Sequence, residues 1–452
     1  MLGSEIEATV TDGGSNFIKA FRLYSTPTQT QVISDDEESK DDEDSDMILP
    51  TQDITGGTCF DIGDSSKEYH PIPMWNIFEQ AVSCNTDGND DEVSLDAMES
   101  SYSLPIHRQC AAHLLNLMAT ADLEKKIVNK TYKRLLHSTD GKVQAACNKQ
   151  GYSAKNSDVI RSHIGRLFVT KNKTRWNSYF DCMKCFSKLS RKNNEAMENL
   201  FKALGLSWFR SNEQEFIHEY VKVMEPVADA LDVLQGEISI SMSYLLPTLT
   251  ILREKLNNHQ RDTTMKHANP LVCSLLDSLK DRFDHMFNIP QIRLAAICDP
   301  SFKVKWLPEE EQDSYKKLLK KEYEKWEKKT IEEEKENSEP EDECSGDSGS
   351  TTSPRRKNFF SSLWKKPSKA QPQNEVDLFF AEPLGHVEQL SKYPILPKIF
   401  RKYNAVLPSS ASVERLFSKA GLVFTSKRTR LADGTLDMLV FLNVNSKETC
   451  SW

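Results

Sequence analysis

Asp12 and Glu414 stand near opposite ends of this 452-residue chain, each where a carboxylate can do chemistry. Asp12 follows a short, β-branched and partly alternating stretch at residues 6–10, which predicts a buried strand. Gly13 and Gly14 then let the backbone turn, and Ser15 or Asn16 can cap a helix carrying Phe17, Ile18, Ala20 and Phe21. Glu414 lies in Ser410-Ala411-Ser412-Val413-Glu414-Arg415-Leu416-Phe417-Ser418, on a helical pattern. Carboxylates from distant segments can hold Mg²⁺ or Mn²⁺, which prefer oxygen ligands. Such ions polarise a phosphate and activate water or a 3′-hydroxyl. Taken singly, Asp12 reads as a turn or capping residue and Glu414 as a surface ion-pair partner of Arg415.

Other residues add narrower chemistry. Cys110-Ala111-Ala112-His113 and Cys182-Met183-Lys184-Cys185 have the spacing of two zinc half-sites. The alternative is a buried Cys110 with His113 lining a helix face. In Thr174-Arg175-Trp176-Asn177-Ser178, the indole of Trp176 can stack on a base while Arg175 holds phosphate, with Lys171 and Lys173 nearby. The alternative for Trp176 is a core anchor. The apolar run at residues 294–297 precedes Cys298-Asp299-Pro300-Ser301-Phe302-Lys303, where Pro300 predicts a helix stop.

The elements that must position these groups are mainly helical. A second strand is expected at residues 104–109, then a helix from residue 110. Residues 213–234 and 271–287 carry apolar side chains at helical spacing. Residues 309–335 predict a long charged helix, 379–390 a further helix, and 436–442 the final one. Two segments break this order. Residues 33–100 carry a net charge of −18 and residues 331–348 a net of −8, against −9 for the whole chain. The remainder is therefore basic at +17, which is compatible with nucleic-acid contact. The acidic runs lack the apolar content to fold by themselves. Arg355-Arg356-Lys357 and Lys365-Lys366 read either as a nuclear localisation signal or as a solvated linker. No stretch approaches eighteen apolar residues, so no membrane partner is expected. Ten cysteines without a framework suit a reducing compartment.

Taken together, the motif around Asp12, Cys110-Ala111-Ala112-His113, Thr174-Arg175-Trp176-Asn177-Ser178 and the motif around Glu414 resemble the hAT superfamily of DNA transposases, and their domesticated BED-type zinc-finger relatives in particular. The Cys298–Lys303 segment resembles the family's L-D-P-R-x-K stretch in part, with Cys298 and Ser301 departing from it.

The resemblance implies an α/β plus α fold: an RNase H-like core with a D-D-E triad, interrupted by a large all-helical insertion. It implies a start of that core at 1–25, an acidic disordered insert at 26–100 and continuation of the core at 101–135. A helical insertion domain at 136–336, a disordered linker at 337–373 and a dimerisation region with the end of the core at 374–452 follow. Asp12 and Glu414 become the ancestral catalytic and metal-binding carboxylates. Arg175 and Trp176 become DNA-contacting, and Cys110 and His113 shape the pocket. Phe417, Leu436, Leu439 and Phe441 become dimerisation residues.

The family's first Asp belongs upstream, and only eleven residues precede Asp12. The expectation is therefore an N-terminally truncated relative without the BED finger or first catalytic strand. It would be non-catalytic and without a cofactor, with Mg²⁺ or Mn²⁺ only if the full core exists. It would be nuclear, acting as a homodimer or a heterodimer with related hAT-type proteins, with DNA binding and transcriptional regulation as further expectations. The rival is an incomplete portion of an active transposase doing metal-dependent cleavage and strand transfer.

Overall fold

The β-branched run ahead of Asp12 forms a strand, β1 (Ala8–Thr11), and the segment ahead of Cys110 forms its partner, β2 (Ile106–Gln109). The two pair in parallel, with Ala8 opposite Ile106 and Thr11 opposite Gln109. Parallel pairing demands a crossover rather than a hairpin. The computed structural model describes residues 8–12, 14, 17, 19–21, 105–171, 176–236, 240–336, 375–424 and 431–445. The acidic insert, the 337–373 linker with its basic clusters, and Arg175 lie outside the described residues. Residues 1–19 and 105–452 form one unit, and residues 20–104 a second.

Helices dominate the first unit. They begin with α1 (Ala111–Ala119), α2 (Ala121–Lys126), α3 (Lys130–Tyr152) and α4 (Ala154–Ile164). After them come α5 (Trp176–Lys192), α6 (Asn194–Ala203) and α7 (Ser211–Leu234). Next are α8 (Leu245–Arg261), α9 (Asn269–Phe283), α10 (Pro290–Ile297) and α11 (Glu309–Glu336). The last four are α12 (Glu375–Ala381), α13 (Leu396–Asn404), α14 (Ala411–Val423) and α15 (Asp433–Asn445). Among the described residues the chain is thus helix-rich with one small parallel β pair. None of the described helices is long and apolar enough to cross a membrane.

The spine is α7. Its apolar residues recur at helical spacing and are buried, including Phe216, Ile217, Tyr220, Met224, Val227 and Leu231. Helices α1, α3, α5, α8 and α9 pack on it. Its N-terminus is tied down by Glu213, whose carboxylate accepts from the Arg210 backbone N–H at 2.7 Å, Ser138 Oγ at 2.5 Å and Lys142 Nζ at 2.6 Å. A second buried tie joins α2 to α9, where Arg282 grips Asp122 with two bonds of 2.6 and 2.7 Å.

The segment following α10 does more than stop a helix. Asp299 accepts from Ser243 Oγ at 2.6 Å and from the Ser301 N–H at 2.8 Å. Asn404 accepts from the Ser243 N–H and donates to the Ala295 carbonyl, joining α13 to α10. Lys303 adopts a left-handed backbone with φ of 47°. Its buried ammonium donates to the carbonyls of Phe379, Glu382 and Pro383, at and beyond the end of α12, and lies 4.5 Å from the Phe379 ring centroid. Carbonyls at a helix C-terminus lack intrahelical donors, and a cation there satisfies them. Burial pulls the Lys303 pKa below its usual value.

Two expectations change. Residues 379–390 are not one helix: α12 ends at Ala381, and a 3₁₀ turn occupies Val387–Lys392. Pro383 has no amide hydrogen to extend the ladder. The expected division between residues 135 and 136 falls inside the continuous helix α3, which starts where Asn129 Oδ1 caps the Tyr132 N–H. In addition, α12 and α13 share a core with α10 and α11 through Val376, Phe379, Leu396, Ile399, Ile297 and Leu319. The first part of 374–452 thus packs as part of the helical body.

Glu213 generates a pH prediction. Burial pushes its pKa up, but the bonds from Lys142, Ser138 and the Arg210 backbone outweigh that, and the net shift is below 4.5. A depressed carboxylate stabilises fully above its unfolded pKa, and that contribution is lost as pH falls through the lower folded value. Thermal melts should show a midpoint that falls as pH drops below about 4.5. Glu213→Gln should cost roughly 2 kcal/mol at pH 7 and flatten the acid limb. An unchanged acid limb in the variant would remove Glu213 from this role.

Candidate functional site

Cys110 is where the two ends of the chain meet. It sits between β2 and α1, almost fully buried. Its N–H donates to the Thr11 carbonyl at 2.7 Å, fixing the end of β1 one residue before Asp12. Its Sγ caps α1, accepting from the His113 N–H at 3.4 Å, and also accepts from the Ser410 N–H at 3.3 Å. The Ala111 N–H donates to the Pro408 carbonyl at 2.9 Å. Ser410 is the N-cap of α14, and its hydroxyl donates to Glu414 Oε1 at 2.7 Å. The segments bearing Asp12 and Glu414 are therefore both fastened to one residue.

Both carboxylates are exposed, and each does a local job. Asp12 Oδ1 accepts from the Gly14 N–H at 3.2 Å, and the Phe17 N–H returns to the Gly14 carbonyl at 2.9 Å. Glu414 closes the first turn of α14. A Mg²⁺ or Mn²⁺ site needs several converging oxygen ligands. The described residues do not fit one: among them no three His, Cys, Asp or Glu side chains group together as metal ligands. The zinc half-sites do not assemble either. Cys182 faces Cys147, with sulfurs 3.8 Å apart, and Cys185 lies 3.5 Å from Arg166 Nη2. His113 is half-buried on α1.

Trp176 opens α5 with its ring buried and stacked on Phe180 at 5.6 Å. Lys171 is paired with Asp140 at 3.2 Å and lies over the Tyr179 ring. Beside Cys110, His107 Nε2 lies 2.8 Å from Thr11 Oγ1, and burial lowers the His107 pKa.

The C-terminal helices are a different kind of surface. Helices α14 and α15 pack on each other. Apolar side chains nonetheless remain open: Phe417 is 69% exposed, Leu422 81%, Met438 64% and Phe441 66%. Leu439 is also exposed, and Leu436 is half-buried. The sequence of α15 is apolar on every side, through Leu436, Met438, Leu439, Val440, Phe441 and Leu442. Such a helix is normally buried all round.

Residues that periodicity did not single out fix this pair to the body. Arg415 Nη1 donates to the Gln235 carbonyl and Ser409 Oγ to the Leu234 carbonyl, both at 2.8 Å. These are C-terminal carbonyls of α7 without helical donors. Arg415 is thus a helix cap for a segment distant in sequence. The only sequence signal was its place beside Glu414.

Comparison with known proteins bears on the same block. Residues 386–446 match the model of the hAT family C-terminal dimerisation region. No curated protein matches the chain.

The Cys110 junction makes a prediction. Cys110→Val removes the acceptor for two part-buried amides, those of His113 and Ser410, and should cost about 1–3 kcal/mol. Cys110→Ser keeps an acceptor and should lose less. Thermal melts of both variants check this; equal losses would show that shape, not acceptance, is what Cys110 supplies.

Proposed function

We propose that this chain is a transposase-derived protein that works by dimerising through α14 and α15. The observation that carries the reading is the exposed apolar surface of that pair inside the segment matching a hAT dimerisation region. A stable interface needs a desolvated apolar centre with a few large anchors. Phe417, Leu436, Leu439 and Phe441 are the anchors in this reading. Burying each such side chain yields about 1.5–3 kcal/mol, so a few suffice to drive association. The caps from Ser409 and Arg415 hold the pair in a fixed attitude and lower the entropy cost of binding.

The reading extends to a non-catalytic nuclear protein with DNA as a second partner and transcriptional regulation as its setting. Local engagement of both carboxylates favours the non-catalytic part, since Asp12 holds a turn and Glu414 a cap. The basic remainder of the chain favours the nucleic-acid part. A second reading, an RNase H-like nuclease completed by further sequence, is favoured by the meeting of the Asp12 and Glu414 segments at Cys110.

The test is the mass in solution of the full chain by sedimentation equilibrium. The wild type should give twice the monomer mass. Leu439→Asp with Phe441→Asp should give a folded monomer, with the dissociation constant raised at least about 100-fold. An unchanged dimer would place the interface elsewhere. The nuclease reading predicts Mg²⁺- or Mn²⁺-dependent DNA cleavage by an extended chain, abolished by Glu414→Gln; absence of cleavage would end it.

A further inference from the structure

Away from Cys110, the end of α4, the C-terminal half of α5 and the start of α6 line a half-open cleft of about 540 Å³, with His163, Arg166, Lys188 and Lys192 exposed along it. That is within the usual size range of small-ligand sites. Its charged lining is one-sided: His163, Arg166, Lys184, Lys188 and Lys192 against Asp181 alone. Three of these lysines recur every fourth residue on α5, so they form one ridge with steps of about 6 Å. Lys184 is neutralised by Glu225 at 2.8 Å. Lys188, Lys192 and Arg166 form no ion pair among the described residues, while Arg166 Nη2 rests against Cys185 Sγ. The net charge facing the cleft is therefore positive even with His163 neutral. The opposite character lines the floor, where Val169, Leu189 and Met197 are apolar and half-buried or buried. Next to Lys192 in the lining, Asn193 caps the ten-residue helix α6, accepting from the Ala196 N–H at 2.9 Å, so a helix N-terminus also borders this space.

We propose that this cleft binds a nucleoside polyphosphate. The apolar floor takes the base, and Arg166, Lys188 and Lys192 take the linked phosphates. Like-charged side chains crowded round one concave space repel each other, and a polyanion relieves that repulsion. The cleft volume matches a small ligand rather than a long duplex. The site is independent of α14 and α15, so it stands or falls apart from dimerisation.

The experiment is calorimetric titration of the full chain with ATP, inorganic tripolyphosphate and a short DNA duplex at low and moderate salt. ATP should bind, at least 5-fold more tightly than tripolyphosphate because the floor contributes. Affinity should fall with salt as screening grows. Lys188→Glu with Lys192→Glu should weaken ATP at least 10-fold. Lys317→Glu with Lys321→Glu, an equal charge change on exposed positions of α11, should leave it within 2-fold. If charge reversal on α5 disturbs folding by circular dichroism, the same lysines changed to Gln should still weaken binding. No binding at millimolar ATP, equal weakening by the α11 variant, or binding of duplex DNA in preference to ATP would each overturn the proposal.

Discussion

One constraint organises the C-terminal end of this protein: α15 is apolar all round, and one neighbouring helix cannot cover it. Packing against α14 hides one side and leaves Met438, Leu439, Phe441 and Leu442 open to water. Contiguous exposed apolar surface marks an interaction site. The remaining architecture is arranged so that this surface is presented rather than buried internally.

Presentation depends on a small number of polar ties. Cys110 joins β1, α1 and the entry to α14 through bonds from its N–H to the Thr11 carbonyl and to its Sγ from the His113 and Ser410 N–H groups. Ser409 and Arg415 finish α7 and dock α14 in the same stroke. Further along, Asn404 binds the end of α13 to α10, while Asp299 and Lys303, just after α10, bind Ser243 and the end of α12. A surface held this way keeps its orientation when a partner arrives. Less ordering is then required at association than for a free helical arm.

Local pattern made much of the fold legible. β-branching located β1, the strand expected at residues 104–109 is β2, and the helical spacing within residues 213–234 located α7. The resemblance of the motif around Glu414 to the hAT family pointed to the C-terminal surface. What stayed hidden depends on tertiary bonds that no periodicity encodes. Arg415 read as a partner for its neighbour Glu414, yet it caps a helix 180 positions upstream. Lys303 read as the end of a helix stop, yet it closes the C-terminus of α12. The pairing of Cys147 with Cys182 broke up the C-x-x-C reading, because α3 and α5 meet at that point in the core. Pro383 was visible, but the apolar pattern across it concealed the break it makes.

The central claim is that α14 and α15 are covered by a second copy of the chain. Hydrogen–deuterium exchange of the full chain, compared between dilute and concentrated protein, tests this most directly. Amides of residues 411–423 and 433–445 should gain protection as concentration rises, while those of α7 stay unchanged. Protection in the two C-terminal helices that is independent of concentration would contradict it.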